Sequence, residues 1–147
     1  MASLHLTLTS DQVIELDGGD REHVLRAVSG HAATQLGIDQ ELLFQAILDR
    51  EQLASTGFGE GLAMPHVRLP AARDFHTVLA RTKTGIEYSA IDGNPVRLLL
   101  LVVGPESEKD GYQKLMARGA KFLKAAGPAL LDAPDLQTAT AAALQDL

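Results

Sequence analysis

The sequence predicts an α/β sandwich of three layers. Val96 to Val103 is a run apolar on both faces, as expected of a strand covered on both sides of a sheet. Segments of helical apolar spacing lie on either side of it, before residue 54 and after residue 111. With 147 residues, 46% apolar and 22% charged, the chain has the size and composition of one globular domain with a continuous core, spanning 1–147.

Taken in order, Leu4, Leu6 and Leu8 alternate with His5 and Thr7, which predicts a short strand. Val13, Ile14 and Leu16 form a second short apolar patch, and Asp17-Gly18-Gly19-Asp20 a turn. Asp20 can cap a helix over about 21–36, with Val24, Val28, Ala32 and Leu36 on one stripe and Gly37 past its end. Asp39 can cap a second helix over about 40–50, whose buried face is Leu43, Phe44, Ile47 and Leu48. Val78, Ala80 and Thr82 then alternate as a strand. Lys83-Thr84-Gly85 predicts a turn, and Ile86 and Tyr88 a further short strand. Asp92-Gly93-Asn94-Pro95 is a turn that leads into the apolar strand. A third helix is expected over about 112–125, broken by Gly127-Pro128, and a fourth from Pro134 to about Leu144.

Composition excludes several functions. Without cysteine there is no disulfide framework and no Cys-ligated zinc. A formal charge of −6 argues against nucleic-acid binding, which needs a basic face. The longest strongly apolar run, Leu98 to Val103, is far shorter than the roughly 20 residues of a membrane span. The N-terminal residues show no basic and apolar regions of a secretory signal, so the expected setting is the cytoplasm.

The stretch that departs from all these periodicities is Ser55-Thr56-Gly57-Phe58-Gly59-Glu60-Gly61-Leu62-Ala63-Met64-Pro65-His66. Gly57, Gly59 and Gly61 permit positive φ and bare backbone, so successive N–H groups can converge on an anion such as phosphate. A flexible surface turn is the alternative. The stretch lacks the Gly-Lys-Ser/Thr ending of a nucleotide-triphosphate loop and the spacing of a dinucleotide loop. His66 follows Pro65, whose ring fixes its own φ and restricts Met64. A neutral imidazole held beside an anion site is a nucleophile toward phosphorus. The other histidines read as structural: His5 on a strand, His23 and His31 on the first helix, His76 in a polar loop. None has metal-ligand spacing with another, so neither a metal nor another cofactor is expected.

Leu53 through His66 resembles the active-site signature of type-2 enzyme IIA domains of the bacterial phosphoenolpyruvate-dependent phosphotransferase system, the fructose/mannitol-type and nitrogen-regulatory IIA proteins. Phe44 to Glu51 resembles the helix leading into that signature, and Ala90 to Val96 the segment after it. The resemblance implies an α/β/α fold with a mixed central sheet. It implies that His66 accepts a phosphoryl group from the phosphohistidine of the small carrier HPr, or of its nitrogen-branch paralogue. It also implies that Arg50 matches the active-site arginine, able to pair with phosphoryl oxygens; a cation stabilised by a helix C-terminus is the other reading of Arg50. Ser55 and Thr56 either donate to the same oxygens or cap the local turn. Tyr112 stands where the family has a second histidine, and the family geometry places it at a helix N-terminus facing His66, beside a cleft and outside the core. A phenol there can donate a hydrogen bond but carries no proton charge near pH 7. Gly59-Glu60-Gly61 replaces the commoner Gly-Asn-Gly, and Glu60 is expected to point to solvent.

The leading functional reading is a phosphoryl carrier or regulatory protein that works on His66. Its partners are an HPr-like carrier and a IIB domain or regulatory target. The alternative is a non-catalytic interaction or anion-binding module on the same fold. A metal-dependent hydrolase lacks ligands.

Overall fold

The computed structural model describes residues 6–146. Leu4 and His5 of the first expected strand lie outside them. Leu6 and Leu8 form no strand, although both are buried against the sheet. The first strand is instead β1 (Val13–Leu16). It is followed by α1 (Arg21–Leu36), α2 (Gln40–Leu53), β2 (Gly57–Gly59), β3 (Leu62–Ala63) and β4 (His66–Leu69). The chain continues as β5 (His76–Ile86), β6 (Val96–Pro105), α3 (Lys109–Asp132) and α4 (Leu136–Gln145).

The strands form one mixed six-stranded sheet in the order β1-β5-β6-β3-β2, with β4 also paired to β6. β6 is the axis. It runs antiparallel to β5 and parallel to both β3 and β4, which pair successively along one of its edges. Its side chains divide by parity. Leu99, Leu101 and Val103 join the α1 and α2 residues Val24, Val28, Leu43 and Ile47 in one core. Leu98, Leu100 and Val102 join Leu115, Phe122, Leu123 and Leu136 of α3 and α4 in the other. These two cores make the chain a three-layer α/β/α sandwich. Burial of each such leucine is worth about 1.5–3 kcal/mol, so β6 holds both layers in place.

Helices α1 and α2 begin where the sequence predicts. Asp20 accepts from the His23 N–H and Asp39 from the Leu42 N–H. Gly37 closes α1 in the left-handed region at φ 72°, and α2 runs three residues past the expected end, to Leu53.

Four expectations need correction. Lys83-Thr84-Gly85 does not end a strand: β5 continues through it to Ile86, with a register shift after Arg81. Gly85 is there because the Pro95 ring lies where a side chain would go, 2.6 Å from an added Cβ. His76 is the first residue of β5, not part of a loop, and its ring bonds the Gln35 side chain. Gly127-Pro128 does not break α3. The apolar stripe Leu115, Gly119, Phe122, Leu123, Gly127, Leu130 continues through both residues, and its burial outweighs local helix propensity. Pro134 precedes α4 instead of opening it, because Asp135 is the cap and accepts from the Gln137 and Thr138 N–H groups.

A Cβ on Gly127 would lie 2.8 Å from Leu62 Cδ2, inside a packed helix–sheet contact. Gly127→Ala is therefore expected to destabilise by about 1–3 kcal/mol through overpacking, despite its better helix propensity. A urea midpoint at or above that of the unsubstituted protein would contradict this.

Candidate functional site

The glycine-rich stretch folds as a tight hairpin of β2 and β3, in which Gly57 pairs with Ala63 and Gly59 with Leu62. Glu60 and Gly61 form the turn, at φ 61° and 82°. Two consecutive positive-φ residues are the requirement of the turn that best matches strand twist, which explains the glycine. The convergent-amide reading is thereby revised. The Glu60 N–H donates to Asp92 and the Gly57 N–H to the Ser55 hydroxyl. Of the three glycines only Gly57 lines the cleft beside His66; Gly59 lies against Asp92 and Gly61 against Leu131. Glu60 is exposed.

After the hairpin, Met64-Pro65 turns the chain into β4. The Pro65 carbonyl accepts from the Val102 N–H at 2.9 Å, which anchors the corner to β6. His66, the first residue of β4, forms part of the wall of a cleft of about 440 Å³. The remaining wall comes from the end of α2 (Arg50), from Ser55 to Phe58, from Met64, and from Ser89 and Ile91. His66 Nδ1 lies 2.7 Å from the Met64 carbonyl oxygen. A carbonyl only accepts, so Nδ1 carries the proton and Nε2 keeps its lone pair. Partial burial holds the His66 pKa below the ordinary imidazole value; the Met64 bond opposes this, the Arg50 guanidinium adds to it, and Glu51 opposes it. The ring is thus a neutral imidazole with one free lone pair at pH 7.

Arg50 sits in the last turn of α2 and donates from Nη1 to the Ala54 carbonyl at 2.9 Å. That bond caps the helix end, and the guanidinium still forms part of the cleft wall. The hydroxyls of Ser55 and Thr56 are engaged within the protein. Ser55 donates to the Tyr88 carbonyl at 2.7 Å, and Thr56 donates to the Glu51 carboxylate.

Tyr112 lies beside His66 but deeper than expected. It is the fourth residue of α3, one turn inside the helix, and it is buried in the core formed with α3 and α4. Its ring centroid lies 6.3 Å from that of His66. Burial pushes the phenol up to about 12, with Arg50 and Arg68 opposing. It therefore stays protonated, a neutral donor.

Sequence reasoning assigned no role to Glu51 and Tyr88. Glu51 is 2% exposed, and its carboxylate accepts from the Thr56 N–H at 3.1 Å, the Thr56 hydroxyl and the Tyr88 hydroxyl at 2.9 Å. Burial and the Glu51 charge raise the Tyr88 pKa well above that of a free phenol. This buried network joins α2, the segment before β2 and the segment after β5, which are three walls of the cleft. A glutamate directly after Arg50 on an amphipathic helix was the available signal, but its partners Thr56 and Tyr88 are distant in sequence.

Among the described residues, no cluster of three His, Asp or Glu side chains could hold a metal ion. No described helix is long and apolar enough to cross a membrane.

His66 on its proline corner and Arg50 at the end of α2 thus line one cleft of a three-layer α/β/α fold. Residues 7–135 match the family described as phosphoenolpyruvate-dependent sugar phosphotransferase system, EIIA 2, and the chain belongs to that family. The nitrogen regulatory protein of Pseudomonas aeruginosa is 30% identical over 112 residues, 76% of this chain and 73% of that protein. The crystal structure of nitrogen regulatory protein IIA-Ntr from Neisseria meningitidis superposes with a TM-score of 0.82 at 21% identity, over 91% of this chain and 93% of that one. Mannitol enzyme IIA of Escherichia coli, solved in complex with phosphorylated enzyme IIB, superposes with a TM-score of 0.75 at 17% identity, over 96% and 99% of the two chains.

Proposed function

We propose that this protein is a cytoplasmic phosphoryl carrier or regulator of the phosphotransferase system, taking its phosphoryl group on His66. The observation that carries this reading is the Nδ1–H bond to the Met64 carbonyl, which reserves Nε2 for chemistry in a cleft shared with Arg50. The Nε2 lone pair forms the new bond to phosphorus. The P–N bond of a phosphohistidine carrier of the HPr type breaks, and its electron pair returns to the carrier's ring. Arg50 offsets the charge of the transferred group. The onward step passes the group to a IIB-type acceptor, as the mannitol IIA–IIB complex suggests, or the phosphorylation state is itself read by a regulatory target.

A second reading, an interaction module that no longer transfers phosphoryl groups, draws on Tyr112. Its neutral phenol cannot supply the charge that a histidine would. Incubation with phosphoenolpyruvate, enzyme I and an HPr-type carrier separates the two. The carrier reading expects one phosphoryl group per chain, stable in base and lost in acid, mapped to His66 and absent from His66→Ala. No uptake, or an acid-stable adduct on serine or threonine, would favour the interaction module.

A further inference from the structure

We propose that Arg68 is a second phosphoryl-binding cation of the His66 site, held in place by the ring of Tyr112. This rests on the reading of His66 as the phosphoryl acceptor. His66 and Arg68 are two apart on β4, so both project from the same face of the strand. Tyr112 reaches both from α3: its ring is 6.3 Å from the His66 ring and 5.7 Å from the Arg68 guanidinium carbon. The Tyr112 ring thus neighbours both the imidazole and the guanidinium.

Arg68 is half-buried, and Nη1 donates to the Glu106 carbonyl at 3.1 Å. A guanidinium has five N–H donors, so that bond leaves donors for an anion. The Tyr112 phenol also lies within the electrostatic reach of Arg50. A dianion on Nε2 would then have Arg50 in the cleft wall and, held against the Tyr112 ring beside His66, Arg68 as a second cation. A second positive charge at the site would come from β4, with Tyr112 aligning it.

The test uses potassium phosphoramidate as a small donor, which removes any effect on carrier docking. The Nε2 lone pair bonds to phosphorus, the donor P–N bond breaks, and its electron pair leaves with ammonia. Phosphohistidine is followed by intact mass and phosphorus NMR in the unsubstituted protein, Arg68→Gln, Arg68→Lys and His66→Ala. Arg68→Gln is expected to slow phosphorylation about tenfold or more, the scale of one charge-assisted hydrogen bond. Arg68→Lys should recover a large part of the rate because it restores the charge. If His66 is phosphorylated and Arg68→Gln proceeds at the unsubstituted rate, the proposal fails while the function of His66 stands. Equal slowing in Gln and Lys variants, with equally lowered melting temperatures, assigns Arg68 to packing and also overturns it. If the unsubstituted protein takes up no phosphoryl group on His66, both readings fall together.

Discussion

Glu51→Ala is expected to destabilise the protein by about 2–4 kcal/mol and to widen the cleft beside His66. The carboxylate is buried, and it gathers the Thr56 N–H, the Thr56 hydroxyl and the Tyr88 hydroxyl. Truncation leaves these donors without their acceptor, and each unsatisfied buried group costs about 1–3 kcal/mol before water enters. Relief of the buried charge offsets part of that cost, which keeps the total below the simple sum. The consequence for the site is local. Ser55 is tied to the Tyr88 carbonyl, and the Ile91 N–H to the Gly57 carbonyl, so loosening Tyr88 and Thr56 frees two cleft walls at once. Glu51→Gln retains one acceptor oxygen and should cost less. A urea denaturation in which Glu51→Ala matches the unsubstituted protein would show that the network contributes nothing net to stability.

The elements that sequence reasoning placed well are those whose cause is local. α1 and α2 start at Asp20 and Asp39 because each caps its own helix, and Gly37 ends α1 through its own φ. Strand β6 was legible because six apolar residues in a row, Leu98 to Val103, have few other uses. The errors share a different cause. Gly127 and Gly85 look like breakers until Leu62 and Pro95 are seen to occupy the space where a side chain would be. Tyr112 neighbours His66, but sequence position gives no depth: at the fourth position of α3 its ring is also packed into the core. Gly57, Gly59 and Gly61 looked equivalent in sequence, but a register shift between Gly57 and Gly59 and the turn at Gly61 separate them, and only Gly57 reaches the cleft. Glu51, Thr56 and Tyr88 are assembled by the fold from separate segments, and no periodicity within one segment could report that.

Phosphoryl acceptance should hold constant as pH falls past 6.5 and then drop about tenfold per further pH unit. The neutral imidazole is the nucleophile, so the rate follows the fraction of His66 that is unprotonated. An unperturbed imidazole would lose that fraction from about pH 6.5 downward. Here burial, reinforced by the Arg50 charge, keeps the folded-state pKa below that value, so the fall begins later. Stability has the same sign. In the unfolded chain the histidine takes up its proton near pH 6.5, and in the folded protein only at lower pH. Between the two values the unfolded state binds more protons, so stability decreases as pH falls through that window. His76, whose pKa is also lowered, by burial and by the His31 charge, shares the window. His66→Ala should therefore flatten the pH dependence of stability below pH 6.5 without abolishing it. Glu51 charge works in the opposite direction on His66, so Glu51→Gln should move the imidazole midpoint further down. Proton NMR titration of the His66 ring reads each of these shifts directly. A midpoint at or above the ordinary imidazole value, or one that rises in Glu51→Gln, would contradict the electrostatic account of the site.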